Sequence, residues 1–301
     1  VIILLVVGML IGIWILAGVV PTLITYGLKI LSPSIFLPAT LLICSLISLA
    51  TGTSWGTTGT IGVALMGVGA GLGIPAPLTA GAVLSGAYFG DKMSPLSDTT
   101  NMAPAMAGTD LFTHIRHMSY TTGVSICLTL IIEIVLSLKY GAAEGSVERV
   151  NTMLTMLGET YSISAALLVA PLVVLVVSIK KMPAIPGIAL GAIVGAIFAA
   201  ALQGSSWPEI LTAAMYGVTS ETGVPDVDNL LSRGGMNAMT YTISLTMIAL
   251  MFGGVMERTN QLKVLADAIL KRAQTSGSLI MATALTGVGS NLVLCDQYMS
   301  I

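Results

Sequence analysis

Two stretches of this chain carry residue types that could bind a small cation. The first, Thr51-Gly52-Thr53-Ser54-Trp55-Gly56-Thr57-Thr58-Gly59-Thr60, sets hydroxyl side chains and glycines between two apolar runs. The second, Gly90-Asp91-Lys92-Met93-Ser94-Pro95-Leu96-Ser97-Asp98-Thr99-Thr100-Asn101, places carboxylates and a lysine directly after an apolar run. Pro95 disfavours helical geometry at Ser94, so a helix should end there. A hard cation wants several oxygen ligands at once, and a broken helix offers hydroxyls, carboxylates and freed backbone carbonyls together. Each stretch also has a plainer reading. The first could be a loop with Trp55 anchored at a membrane interface, and the second a solvated turn. Two such breaks close together, each flanked by apolar runs, favour the ligand reading.

The candidate ion-binding and proton-coupling residues are therefore Thr53, Ser54 and Thr57 from the first break, and Asp91, Ser94, Ser97, Asp98 and Asn101 from the second. A third break, Gly287-Val288-Gly289-Ser290-Asn291 followed by Cys295-Asp296-Gln297-Tyr298, adds Asn291 and Asp296. Asp296 follows an apolar run as Asp91 does, which is either the mark of an inverted repeat or a coincidence over a short stretch. The mechanism expected is competition at one site. Two carboxylates in a low-dielectric pocket resist ionising together, so Asp91 and Asp98 could hold Na⁺ when ionised and a proton when not. Lys92 opposes this if it points inward. Glu133, in Ile131-Ile132-Glu133-Ile134, is a further intramembrane acid, either snorkelling or locally satisfied, or a proton relay. His114 and His117 flank Arg116 and are read as an interfacial, orientation-setting group or as a pH sensor.

The composition states what must position these residues. The chain is 55% hydrophobic and 9% charged, with a mean hydropathy of +0.94, against about 25% charged residues in soluble domains. Disorder needs the opposite balance. A net charge of −2 points to no nucleic-acid partner. Cys44, Cys127 and Cys295 lack metal or redox spacing and read as small buried hydrophobes. Signatures of intramembrane proteases are missing: Tyr88 stands where Gly-x-Gly-Asp needs its first glycine, and His-Glu-x-x-His does not occur. The reading is not an enzyme, with no cofactor beyond transported Na⁺ and H⁺.

Apolar runs at about 1–20, 35–53, 57–74, 77–97, 117–138, 163–179, 184–202, 238–256 and 278–301 are candidate spans. Segments 21–34, 108–116, 139–162 and 203–237 read as loops, and 257–277 as an amphipathic helix. Lys and Arg clusters at Arg116, Lys180-Lys181 and 257–277 agree on one topology with those segments inside. Gly187, Gly191 and Gly195, like Gly8 and Gly12, recur every four residues, the spacing that lets membrane helices approach closely. The chain begins and ends within apolar runs, and reads as an internal fragment of a longer protein.

The run Ala50 to Thr57, the stretch Gly67 to Pro75 and above all Gly90-Asp91-Lys92-Met93-Ser94-Pro95-Leu96-Ser97-Asp98-Thr99 resemble the NhaC family of Na⁺/H⁺ antiporters. Pro21 to Ser34 and Gly289 to Ser300 resemble it as well. That family belongs to a wider ion-transporter superfamily of inverted-repeat carriers. The resemblance implies an all-α polytopic membrane protein, a helical bundle with discontinuous or re-entrant helices and inverted repeats. It implies exchange of Na⁺ (or Li⁺) for H⁺ in the cell inner membrane. Similar proteins exchange malate for lactate, so an ion-coupled carboxylate exchanger is the alternative. One membrane transport domain is expected over 1–301, with a first-repeat region at 1–138 and later spans at 139–301. The partners are the two ions and the lipid bilayer, and a homodimer is compatible with the sequence.

Overall fold

The computed structural model describes residues 2–140, 146–180, 182–222, 225–272 and 275–293, and among them every regular element is helical. By internal packing the chain forms two compact units, residues 2–239 and the residues from 240 on. The larger unit holds the polar breaks at 51–60 and 90–101.

Its first element, α1 (Ile2–Leu16), is apolar on all sides and buried over much of its length. It ends because Gly18 adopts a left-handed φ of 77°, and α2 (Val19–Ile30) leaves at 71° to it. The sequence predicts a loop over 21–34. As far as Ile30 it is instead helical, and Pro21 is tolerated because it falls in the first turn, where its missing N–H costs nothing. It packs Ile24 and Leu28 into the core.

Then come α3 (Phe36–Thr51), the single turn α4 (Ser54–Thr57), a π-helical turn (Thr58–Gly62) and α5 (Val63–Gly71). After a turn at Gly73 the chain forms α6 (Ala76–Met93) and α7 (Asp98–Ala107). α8 (Leu111–Tyr140) is the longest helix. It starts at Asp110, whose carboxylate accepts the Thr113 N–H at 3.0 Å and its hydroxyl at 3.2 Å, so the expected loop at 108–116 ends early.

The segment 139–162, expected to be a loop, contains α9 (Ser146–Thr160). Its apolar side chains Met153 and Leu157 are fully buried, an amphipathic pattern that a hydropathy window averages away. A 3₁₀ turn (Ala165–Leu168) leads into α10 (Val169–Ile179), bent by 94° from α9. α11 (Ala184–Leu202) follows, then α12 (Trp207–Tyr216), opened by a Ser206–Glu209 capping box, and α13 (Pro225–Leu231). These last two take up about half of the loop expected over 203–237. A 3₁₀ turn (Met236–Met239) closes the unit.

The expected glycine packing is present. An added Cβ at Gly12 would strike the Ala213 carbonyl, one at Gly191 would strike Val174, and one at Gly195 would strike Trp14. Trp14 is almost fully buried and donates its indole N–H to the Gly191 carbonyl at 3.0 Å. Gln203 ties the two bent pairs together: its amide N–H donates to the Ala17 carbonyl at 3.1 Å, and its oxygen accepts the Ser162 N–H at 3.1 Å.

The second unit contains α14 (Thr240–Arg258), α15 (Gln261–Arg272) and α16 (Ser276–Val293). The helix expected in 257–277 is therefore found. Among the described residues three helical segments are long and apolar enough to cross a membrane, Leu111–Tyr140, Ile185–Leu202 and Met236–Met256, and counting each bent pair as one span gives five. α3 is apolar but only 16 residues long, or about 24 Å, and shorter than a full span.

Candidate functional site

The site starts from two glycines on α6. A side chain at Gly86 would meet the Leu41 carbonyl and Cys44, and one at Gly90 would meet Ser45, Ser48 and Leu49. Higher numbers on α6 thus meet higher numbers on α3, so the two helices run parallel in near-backbone contact. Hydroxyls lock the register. Ser48 donates to the Ala87 carbonyl at 2.5 Å, and Ser94 donates to the Leu49 carbonyl at 2.8 Å.

Parallel packing brings both C-termini to one place. α3 stops at Gly52, in a left-handed conformation with φ 69°, and its Cα sits against the backbone of Leu96. α6 stops at Ser94, held extended at ψ 128° by Pro95 as the sequence predicts. The two polar breaks therefore touch. Each helix C-terminus carries roughly half a negative charge, and both are aimed here.

Asp91 occupies this junction, in the last turn of α6 and 6% exposed. Its carboxylate accepts the Ser54 hydroxyl at 2.7 Å. Ser54 is placed by the first residues of α4, where the Thr53 hydroxyl caps the turn by accepting the Gly56 N–H at 3.2 Å. Around it the hydroxyl hydrogens are committed to backbone carbonyls: Thr57 to Thr53 at 2.9 Å, Thr58 to Ser54 at 2.8 Å and Thr60 to Gly56 at 2.7 Å. A hydroxyl that donates to a carbonyl keeps its oxygen lone pairs available. The junction therefore combines one buried carboxylate with the Ser54 hydroxyl oxygen, beside a turn that carries further hydroxyls, the type of donor a hard cation uses. No group of three or more His, Cys, Asp or Glu side chains gathers among the described residues, which sets this apart from a transition-metal centre.

The remaining sequence-derived candidates divide. Ser94 belongs to the junction through its bond to Leu49. Ser97 caps α7, accepting the Thr100 N–H at 3.5 Å and lying 3.0 Å from the Thr99 hydroxyl. Asp98 is exposed in the first turn of α7, where a carboxylate complements the helix N-terminus, and it has no hydrogen bond to Asp91. Asn101 is exposed and donates to the Pro95 and Ser97 carbonyls at 2.9 and 2.7 Å, holding the break in shape. Lys92 is exposed. The backbone of Asn291 lies in α16, in the other unit, and Asp296 falls outside the described residues, as does Cys295.

Two hydroxyls beyond the sequence-derived set matter. Ser48 bridges α3 to α6. Thr100 donates to the Asp91 carbonyl at 3.1 Å and the Lys92 carbonyl at 2.9 Å, tying α7 back onto the end of α6. The signal for Ser48 is the hydroxyl stripe Ser45, Ser48, Thr51 at helical spacing along α3. Cys44 is buried as expected, but Cys127 is exposed, because it lies on an outward face of α8, where apolar side chains are also exposed.

A cavity of about 270 Å³ reaches the first break from another face. Thr51, Thr53, Thr57, Thr60 and Ser178 give it hydroxyls, while Leu23, Ile47, Leu172 and Val174 make its walls apolar. Neither Ser54 nor Asp91 lines it, and none of its lining residues is charged.

Apolar helices broken at polar junctions, with a carboxylate buried where the breaks meet, define a multi-pass integral membrane protein. The chain belongs to the Na⁺/H⁺ antiporter family, whose profile matches residues 86–301. It is 43% identical over 299 residues to the Na⁺/H⁺ antiporter NhaC of Alkalihalophilus pseudofirmus, covering 98% of this chain and 64% of that protein. It is 42% identical over 301 residues to the malate-2H⁺/Na⁺-lactate antiporter of Bacillus subtilis, covering 100% of this chain and 64% of that one. The arginine/ornithine antiporter ArcD of Halobacterium salinarum is 38% identical, covering 99% of this chain and 62% of that protein. The chain thus spans less than two thirds of the length of these relatives. No solved structure matches it.

Proposed function

We propose that this chain forms the ion-exchanging part of a secondary antiporter that takes Na⁺ or Li⁺ against H⁺ by alternating access, in the inner membrane of the cell. The observation that carries this reading is the Ser54–Asp91 hydrogen bond at the meeting point of two broken helices. When ionised, Asp91 offers a negative charge among oxygen acceptors and binds the cation. When protonated it is neutral and the cation leaves. One carboxyl then serves both ions in turn, which enforces exchange. Asp98, exposed at the start of α7, is assigned the solvent-side approach to the site, where its charge attracts cations.

The second reading, ion-coupled exchange of an organic ion, draws on the printed names of the malate/lactate and arginine/ornithine relatives. The uncharged lining of the cavity beside Thr53 and Thr57 speaks against a dicarboxylate seated there, because a buried anion needs a cationic or helix-N-terminal partner.

The test uses the full-length protein in proteoliposomes loaded with a pH-sensitive dye. A pH gradient is imposed, and NaCl, choline chloride, or sodium malate with lactate inside is then supplied. Collapse of the gradient by NaCl alone, lost in Asp91→Asn, is the expected result. Collapse that requires the organic anions would move the assignment to carboxylate exchange.

A further inference from the structure

A second acid is withdrawn from solvent in this unit and has no role in the site above. Glu133 lies on α8, is 6% exposed, and its buried Oε2 has no hydrogen-bond partner among the described residues. Between His117 and Lys139 it is the only ionisable acid or base apart from Tyr120 and Cys127. Its neighbours Ile131, Ile132, Ile134 and Val135 are exposed, so the helix turns Glu133 inward while showing apolar side chains to the bilayer. The snorkelling posture open to a membrane glutamate is not adopted.

The position follows from one hydrogen bond. Ser137, one turn further along α8, donates to the Pro33 carbonyl at 2.8 Å, just before α3 begins. Only three residues of α8 follow Ser137, so its contacts with α3 and α6 come from the preceding residues, and α8 runs back along α3. Glu133 therefore sits near the start of α3, while Ser54 and Asp91 sit beyond its end, on the order of 15 Å or more away along the axis.

The helices packed against α8 offer it no counter-charge. α3 carries only Cys44 as a titratable group; α6 carries Tyr88, Asp91 and Lys92, all near its C-terminal end; α7 carries Asp98. On α8 itself Lys139 stacks on Tyr140 at 5.6 Å, and His114, Arg116 and His117 are at the opposite end. A carboxylate so placed requires a bound proton or cation to compensate its charge. The surroundings decide which. α8 is unbroken, so its carbonyls stay within the helix, and Ser137, one turn further along it, already donates to Pro33. Na⁺ would find one carboxylate and no backbone oxygen freed from α8, whereas a proton needs only the carboxylate.

We propose that Glu133 is a second proton-binding carboxyl of this antiporter, separate from the Asp91 junction, which loads and releases a proton during the transport cycle without binding Na⁺. The flux part of its test rests on the exchange reading above, and the labelling part does not. The full-length protein is treated in vesicles with a hydrophobic carbodiimide over a range of pH, and Glu133 is followed by peptide mass spectrometry. The protonated carboxyl adds through oxygen to the carbodiimide carbon, its proton passes to one nitrogen, and acyl migration to the other gives a stable N-acylurea. Labelling of Glu133 that falls as pH rises is expected; labelling that is absent, or flat with pH, overturns the proposal.

In the dye assay, Glu133→Gln keeps the volume and polarity of the neutral acid and should lose most Na⁺-driven proton flux while retaining ²²Na⁺ binding. Glu133→Asp should keep flux with a displaced pH profile. Wild-type flux and pH profile in Glu133→Gln would show that the carboxyl is structural. If Glu133→Gln fails to accumulate, Glu133→Asp and the labelling decide. If the wild type itself shows no Na⁺-driven flux, the exchange reading fails while the labelling result still stands for Glu133.

Discussion

Asp91 and Glu133 are equally hidden from solvent, yet the chain around them is built in opposite ways. Asp91 sits where α3 and α6 both stop, with a hydroxyl on its carboxylate and the ends of two helices turned toward it. Glu133 sits inside an unbroken 30-residue helix, its Oε2 without a hydrogen-bond partner among the described residues. The difference teaches what a helix break is for. Continuous helix keeps every backbone oxygen in its own ladder, so an acid there can exchange little more than a proton. Broken helix releases oxygens and lets an acid hold a metal cation.

The largest effect that would sharpen this contrast is Asp91→Asn, expected to remove ²²Na⁺ binding and exchange together while leaving carbodiimide labelling of Glu133 in place. Loss of that labelling too would mean the two acids are one coupled site. Next comes Gly90→Val, whose side chain would be driven into Ser45 and Leu49. It should part α3 from α6, lower the melting temperature in detergent and abolish Na⁺ binding, with Gly90→Ala affected less; a wild-type melting curve for the valine variant would refute the parallel packing.

Ser54→Ala removes one hydrogen bond to a charged acceptor, about 1.5–3 kcal/mol, so Na⁺ should bind roughly tenfold or more weakly, read by titrating the dye response. Ser137→Ala touches only the other acid. It should cost about 1 kcal/mol of stability and change the Glu133 labelling rate without altering Na⁺ affinity.

The smallest effect lies outside the membrane, at Asp110. The Thr113 backbone N–H holds this carboxyl below the usual aspartate range. Its contribution to α8 is therefore complete above the ordinary aspartate pKa, about 3.9, and is lost as pH falls through the lowered folded value. Asp110→Ala should lower the melting temperature slightly at neutral pH and not at strongly acidic pH. Equal shifts at both would show that the cap does not act through its charge.

Much of this was legible in residue types alone. The two polar breaks announce themselves by hydroxyls, glycines and acids between apolar runs, and Pro95 dictates the end of α6. What could not be read was which atoms meet. Pairing Ser54 with Asp91 depends on the parallel register of α3 and α6, and that register is set by Gly86, Gly90 and Ser48, residues that look like ordinary packing in a sequence. For the same reason Asp91 and Asp98 read as one pair, although a turn of extended chain at Ser94–Ser97 carries Asp98 out to an exposed helix start. The helices α2, α9 and α12 were hidden because each mixes polar and apolar faces, and a hydropathy window sums over both.

The three tryptophans give the molecule a built-in optical readout. Trp14 is enclosed and bonded to Gly191, Trp207 is 66% exposed, and Trp55, at 38%, follows Ser54 directly in the first break. Replacing Trp207 with phenylalanine leaves, within this chain, one emitter fixed in the core and one beside the Ser54–Asp91 junction. A fluorescence change on adding Na⁺, absent with choline, would then report occupancy at the break without any attached dye.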